Sequence, residues 1–269
     1  HSPSSFDVLN ELPDLVEEER QFRDARSPVD LSRWKEYFMA HEIAHQWWGQ
    51  CVTWRTYHDQ WLSEGLAQFA SYLYLKEKYG DEASSQVIKK FSQWTKKSSR
   101  WGPITMGSRI SFHNFRAYQA IIYDKASLAL NMLKDLLGEE VFFQGLREFF
   151  GKFQYSVAGT GDFFRTMEET SGKDLTVFFK SWFDSYLLPE VRVATSVYKK
   201  EDGYLLTLKI SQLREPFVFP FWVEWMESGQ KVKKMLVVND KNEEFEFEMR
   251  GRPIRVKMNP NMAVPGKFF

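Results

Sequence analysis

The chain has 269 residues, 43% of them hydrophobic and 17% aromatic, with 24 Phe and 10 Trp. That composition excludes a disordered or low-complexity polypeptide and, at roughly 150 residues per domain, supports one large domain or two smaller ones. Lys plus Arg and Asp plus Glu both number 36, so no net field draws the chain toward nucleic acid or an anionic membrane.

Cys51 is the single cysteine, which excludes an intrachain disulfide framework and leaves the compartment open. The longest apolar run, Pro216 to Val223, is less than half of the ~20 residues that a membrane-spanning helix needs. The N-terminus carries no basic segment followed by an apolar one, so no secretory leader is read there. The first residue is His1 rather than Met, which suggests a processed form or a fragment.

The first 29 residues are mixed, and their charged stretch LVEEERQFRDAR reads as a solvated helix face or a surface loop. From Asp30 to Trp48 the apolar residues recur with helical spacing, Asp30 or Ser32 is a candidate N-cap, and Gly49 follows as a stop. Further helices are predicted at about 61–79, 82–97, 118–137, 139–150, 161–170 and 175–187, several of them ending at Gly80, Gly138, Gly151 and Gly172. Near Pro189 the pattern changes. Short segments follow, such as GYLLTLKI, PFVFPFWVEW, KVKKMLVV and EEFEFEMR, separated by Asp-Gly, Ser-Gly, Asn-Asp and Arg-Gly turns. Phe245, Phe247 and Met249 alternate with glutamates, as on a strand with one face inward. The expected fold is α+β: a helix-rich unit over 1–188, then an antiparallel β-sandwich over 189–269.

The informative residues are His41-Glu42-Ile43-Ala44-His45. Histidines four apart on a helix leave the same face and reach one metal ion. Two neutral imidazoles, a carboxylate and a water suit catalytic zinc, and a glutamate beside the first histidine can take that water's proton, so the pattern is a signature of zinc peptidases. Glu64, in Trp61-Leu62-Ser63-Glu64-Gly65, is the natural third ligand if a second helix packs its first turn against the metal. The plainer alternative is two core-facing histidines with solvated glutamates.

With HEIAHQWWGQCVTW, then WLSEGLAQF placing Glu64 nineteen positions after His45, then IIYDKASLALNML, the chain resembles the gluzincin zinc aminopeptidases, the family of aminopeptidase N and leukotriene hydrolase. The resemblance is specific from Trp34 to about Leu137 and weaker beyond. It implies a helical, thermolysin-like zinc-peptidase subdomain before the β-sandwich, one zinc ion per chain and peptide substrates. It makes His41, His45 and Glu64 the zinc ligands, Glu42 the general base, and Tyr123 the hydroxyl that stabilises the tetrahedral intermediate. By residue type alone Tyr123 is an ordinary amphipathic-helix residue.

The chain departs from the family in three respects. The Gly-x-Met-Glu-Asn segment, whose glutamate holds the substrate amine, is not found; the look-alike Thr166-Met167-Glu168-Glu169 lies downstream in a helical pattern and reads as surface charge. Only 40 residues precede His41, too few for the family's usual N-terminal domain, so a fragment of a longer peptidase is expected. Ala126 stands where the family has glycine after Tyr-x-Lys.

The remaining signals are weaker. His58 and His113 read as loop histidines more readily than as groups that contact substrate. Cys51 reads as an inert thiol. Lys89, Lys90, Lys96, Lys97 and Arg100, interleaved with Phe91 and Trp94, read as a solvated helix face rather than a nucleic-acid surface. Arg109, Arg116 and Lys125 either hold a peptide carbonyl or carboxylate or make structural ion pairs. The expected function is zinc-dependent peptide hydrolysis, as an aminopeptidase in the intact protein. The alternatives are an endopeptidase or other zinc hydrolase, such as an epoxide-opening enzyme, and a silent zinc-containing module that binds peptide or protein. A structural zinc site, closed by four protein ligands, would need neither Glu42 nor Tyr123.

Overall fold

The histidine-bearing segment forms the first described helix, α1 (Lys35–Ala44). It stops four residues short of the expected Trp48, because Gln50 N–H takes the His45 carbonyl and Val52 N–H takes that of Trp47, both at 3.0 Å. These bonds swing the chain out of the helix and into β1 (Val52–Trp54). The computed structural model describes residues 35–112 and 114–269. The candidate caps Asp30 and Ser32, the charged stretch before them and His113 lie outside these residues. Residues 36–269 make up one unit, described here by itself.

The second helix, α2 (Trp61–Ser98), contains both of the helices expected around Gly80, where φ of 78° breaks the run. Its first residue is an anchor: the Trp61 indole is fully buried, donates to Thr160 Oγ1 at 2.9 Å, and meets Phe163 and Phe183 edge-on at 5.1 and 4.6 Å. The single helix expected over 118–137 is three pieces, α3 (Phe115–Tyr118), a π turn (Gln119–Lys125) and α4 (Ala126–Leu137). Leu128, Leu130, Met132 and Leu133 of α4 are fully buried, so this helix is the spine of the helical layer. Then follow α5 (Glu139–Phe153), α6 (Thr160–Ser171) and α7 (Thr176–Trp182). Helix α7 ends before the expected Leu187, its exit held by Thr105, which donates through N to the Phe183 carbonyl at 3.1 Å and through Oγ1 to Asp184 at 2.9 Å.

A short parallel pair that the sequence did not signal joins β1 to β2 (Ser156–Ala158). Asp59 locks the turn after β1 onto the start of α6. Its Oδ1 accepts from Thr160 N and Oγ1 at 2.7 and 2.8 Å, and its Oδ2 accepts from Thr56 N and Oγ1 at 3.1 and 2.8 Å. Burial pushes the Asp59 carboxyl up, but these bonds outweigh it and the net shift is downward.

Strands β3 (Glu190–Lys200), β4 (Gly203–Gln212), β5 (Phe219–Glu227), β6 (Gln230–Val238), β7 (Asn242–Met249), β8 (Ile254–Met258) and β9 (Lys267–Phe268) form the second layer. They make two sheets, ordered β7-β4-β3-β9 and β6-β5-β8. All pairings are antiparallel except β3 with β9. Trp225 against Phe247 at 5.2 Å and Phe221 stacked on Phe268 at 5.6 Å fill the space between them. Two indoles tie this layer to the helices: Trp182 donates to the Val218 carbonyl and Trp222 to Asp135 Oδ2, both at 2.8 Å. Among the described residues no helix is long and apolar enough to cross a membrane.

Helix α2 meets the π turn and α4 at Gly65, where a Cβ would lie 2.7 Å from Ala126 Cβ and 3.2 Å from the Ile122 carbonyl oxygen. At an exposed helix position Gly→Ala stabilises by up to ~1 kcal/mol. Here the methyl overpacks the contact, so Gly65→Ala is expected to destabilise by about 1–3 kcal/mol in urea denaturation. Asp59→Ala leaves four donors without their acceptor and is expected to cost about 3 kcal/mol. Because the carboxyl titrates lower in the folded state, that contribution is full above the unfolded value near ~4. The gap between wild type and Asp59→Ala is expected to narrow as denaturation is repeated below pH ~4.

Candidate active site

Helix α1 places His41 and His45 one turn apart, with their Nε2 atoms 3.1 Å from each other. Helix α2 brings Glu64 to both: its Oε2 lies 3.3 Å from His41 Nε2 and 3.4 Å from His45 Nε2. The ligand atoms of all three residues fall within 4.8 Å of one another. Two histidines and one carboxylate are the donor set of a catalytic zinc site with a position left for substrate or water, and no other His, Cys, Asp or Glu among the described residues joins the group.

The backbone around α1 fixes how these groups face. The Trp48 carbonyl lies 2.9 Å from His45 Nδ1, and a carbonyl only accepts, so Nδ1 carries a hydrogen and Nε2 is the ring nitrogen turned toward Glu64. Ser63, next to Glu64, donates to the same carbonyl at 3.3 Å and sits 3.2 Å from His45 Nδ1. The close passage of α2 depends on Gly49. Its φ is +113°, and a Cβ there would stand 2.5 Å from Ser63 Oγ, so neither the backbone nor the space admits a side chain.

Burial alone would push the Glu64 carboxyl up, but the hydrogen bonds and charges of His41 and His45 outweigh it and hold the group at about 2. Burial works against charge on His45, yet Glu64, the Trp48 carbonyl and the charge of Glu42 leave it raised. The site therefore holds an ionised carboxylate that favours a proton on His45, and a divalent cation bound there would take that proton's place. Glu42 itself is exposed, on the solvent side of α1.

Tyr123 comes from the π turn, and its ring stacks on that of His41 at 5.7 Å with the planes 10° apart. Tyr118 meets it edge-on at 5.6 Å. Burial first, then the Glu64 charge and Tyr118, push the Tyr123 hydroxyl well above the ordinary tyrosine value, so at neutral pH it is a donor.

The sequence-predicted residues thus divide. His41, His45, Glu64 and Tyr123 are gathered at one place, and Glu42 stands next to His41 on the exposed side of α1. His58 stands elsewhere, with Nδ1 2.5 Å from the Thr105 carbonyl and its ring against Tyr57. Arg109 lies over the Tyr57 ring at 4.5 Å, Cys51 is a half-buried free thiol, and Lys125 is fully buried. In the basic run Phe91 is core while Lys96, Lys97 and Arg100 are exposed, with Lys97 over Trp94. In the segment around Met167, Glu169 is surface charge paired with Lys152 at 2.7 Å, while Met167 is fully buried and Glu168 accepts from Leu175 N. Ser63, Tyr118 and the Trp48 carbonyl were not read from the sequence; Ser63, inside the motif itself, was the one that could have been.

Comparison with known proteins agrees with this geometry. Residues 16–182 match the peptidase family M1 domain. Over 218 residues the chain is 28% identical to the alanine/arginine aminopeptidase of Saccharomyces cerevisiae, covering 77% of this chain and 25% of that protein. Over 242 residues it is 27% identical to the puromycin-sensitive aminopeptidase of Caenorhabditis elegans, covering 82% and 24%. It therefore spans about a quarter of the length of these curated relatives. The solved structure of Legionella pneumophila aminopeptidase A in complex with aspartic acid has the same fold, with a TM-score of 0.67 at 23% identity over 87% of this chain and 26% of that one. With its family match running through both helices that carry the histidines and Glu64, this chain belongs to the M1 peptidase family.

Proposed function

We propose that this chain carries the zinc-dependent catalytic centre of an aminopeptidase, with His41, His45 and Glu64 holding one zinc ion. The observation that carries the reading is the convergence of these three ligands beneath a stacked, protonated tyrosine. The names of the M1 relatives support removal of N-terminal residues from peptides as the reaction. When bound, zinc would supply Lewis acidity toward the scissile carbonyl and a nucleophile at neutral pH.

The chain's own residues do the rest. Glu42, unburdened by a hydrogen bond to another described residue and open to solvent, accepts the proton of the attacking water and returns it to the departing amine. Tyr123 donates to the substrate's carbonyl oxygen as charge grows on it, a contact of the kind worth a few kcal/mol at the barrier. Its neighbours keep the hydroxyl protonated for that purpose. Ser63 and the Trp48 carbonyl occupy the Nδ1 side of the His45 ring, so that Nε2 is the nitrogen that would hold the zinc.

Metal analysis is expected to find one zinc per chain, and zinc is expected to raise the melting temperature by mass action. In His45→Ala both the stoichiometry and the thermal shift are expected to be lost; a full shift in that variant would remove His45 from the ligand set. Glu42→Gln is expected to keep zinc near one per chain while hydrolysis of a fluorogenic peptide falls by ~100-fold or more; loss of zinc there would contradict the role of base. Chelator-sensitive cleavage confined to peptides with a free N-terminus is the expected specificity. Cleavage of N-terminally blocked peptides would point to an endopeptidase, and stoichiometric zinc without cleavage of either to a silent module.

A further inference from the structure

The π turn that carries Tyr123 also carries a lysine whose place is hard to account for by packing alone. Lys125 is fully buried, and among the described residues no carboxylate pairs with it. Its hydrogen bond runs from Nζ to the Ser185 carbonyl at 2.6 Å, sixty positions downstream. Burying an amine with a single acceptor is costly, and desolvation lowers the Lys125 amine to about 7. An apolar side chain of the same length would fill the space at less cost, so the amine is kept for the bond it makes.

What the bond joins is informative. Its acceptor lies in the exit from α7, a segment fixed by Thr105 bonds to Phe183 and Asp184 and braced by the Ser185 hydroxyl, which accepts from Leu187 N at 3.1 Å. Its donor is the last residue of the π turn. A π turn is a rare interruption of an α-helix, frequently found at functional sites, and here both residues after Tyr123 are tethered. Gln68, one helical turn beyond Glu64 on α2, donates to Asp124 Oδ1 at 2.8 Å, and Lys125 grips the α7 exit. Directly before these tethers Tyr123 is set parallel to His41. An N–H donates to Ser185 whether or not the amine is charged, so the clasp holds in either protonation state.

We propose that Lys125 is a positioning residue: by anchoring the π turn to the Ser185 carbonyl, it fixes where the Tyr123 hydroxyl stands relative to His41 and Glu64. This rests on the reading of Tyr123 as the group that donates to the substrate oxygen. Lys125 touches no substrate and acts through Tyr123 alone.

The test uses the full chain labelled with 3-fluorotyrosine, with the Tyr123 fluorine line among the 11 tyrosines identified by its disappearance in Tyr123→Phe. Lys125→Met, which keeps the length and loses the donor, is expected to move or broaden the Tyr123 line while the sandwich tyrosines Tyr198 and Tyr204 stay in place. Lys125→Gln, with a shorter donor, is expected to give a smaller displacement, and it decides the matter by itself if the methionine variant does not fold. On a peptide substrate, Lys125→Met is expected to lower kcat about 10-fold with KM unchanged, and to add nothing in a Tyr123→Phe background, because residues acting as a unit are not additive. An unmoved Tyr123 line, or additive losses in the double variant, would overturn the proposal. The fluorine measurement needs no turnover. If wild type does not cleave peptide, the peptidase reading fails while the line still decides whether Lys125 positions Tyr123.

Discussion

Three electron-rich atoms, from His41, His45 and Glu64, point at one small volume, and in a folded protein such atoms would drift apart unless something held them. The surrounding structure is arranged around that constraint. One carbonyl, that of Trp48, takes both the Nδ1 hydrogen of His45 and the hydroxyl of Ser63, so His45 and the residue before Glu64 share a single backbone anchor. Gly49 and Gly65 remove the Cβ atoms that would keep the elements apart. Trp61, wedged among Phe163, Phe183 and Thr160, fixes the helix whose first turn bears Glu64. The site is rigid because each support is itself buried or hydrogen-bonded, the arrangement that preorganised chemistry requires.

The two layers are joined through indole rings, by their polar contacts and by the packing of Trp182 on Phe217 at 5.1 Å. Trp222 reaches from β5 to Asp135, which also pairs with Lys134 at 2.8 Å, and Trp182 reaches from α7 to β5's approach. The exit from α7 therefore serves both layers: it leads into the sandwich, and it supplies the carbonyl on which the π turn rests. A change in the seating of the sandwich would be felt at Tyr123 through that segment.

Most helices and the six longer strands were legible in the sequence, as were His41, His45 and Glu64, because each rests on a local pattern. The i, i+4 spacing of His41 and His45 survives any tertiary detail, and Gly80 marked a break that the structure retains as a kink. What could not be read depends on partners distant in sequence. The three-residue strands β1 and β2 carry no periodicity of their own and exist only as a pair. The π turn looks like plain helix in the sequence of Gln119–Lys125, because that sequence has no Pro or Gly to mark an interruption. The early end of α7 follows from Thr105, nearly eighty positions upstream. Tyr123 was found only through family resemblance, for the same reason: its role comes from what lies across from it, not from its neighbours in the chain.

The pairing of β1 with β2 bears on the order in which the molecule can assemble. The segment that carries the Trp48 carbonyl runs directly into β1, whose register is set by residues about a hundred positions later, as in the bond from Thr53 Oγ1 to the Ser156 carbonyl. Closing so long a loop is entropically expensive and is among the slower events of folding. During synthesis His41, His45 and Glu64 leave the ribosome well before the strand that braces their loop. The order in which these three side chains are made is thus the reverse of the order in which their spacing is secured, and in the nascent chain they stay loosely spaced until Ser156–Ala158 has emerged and paired.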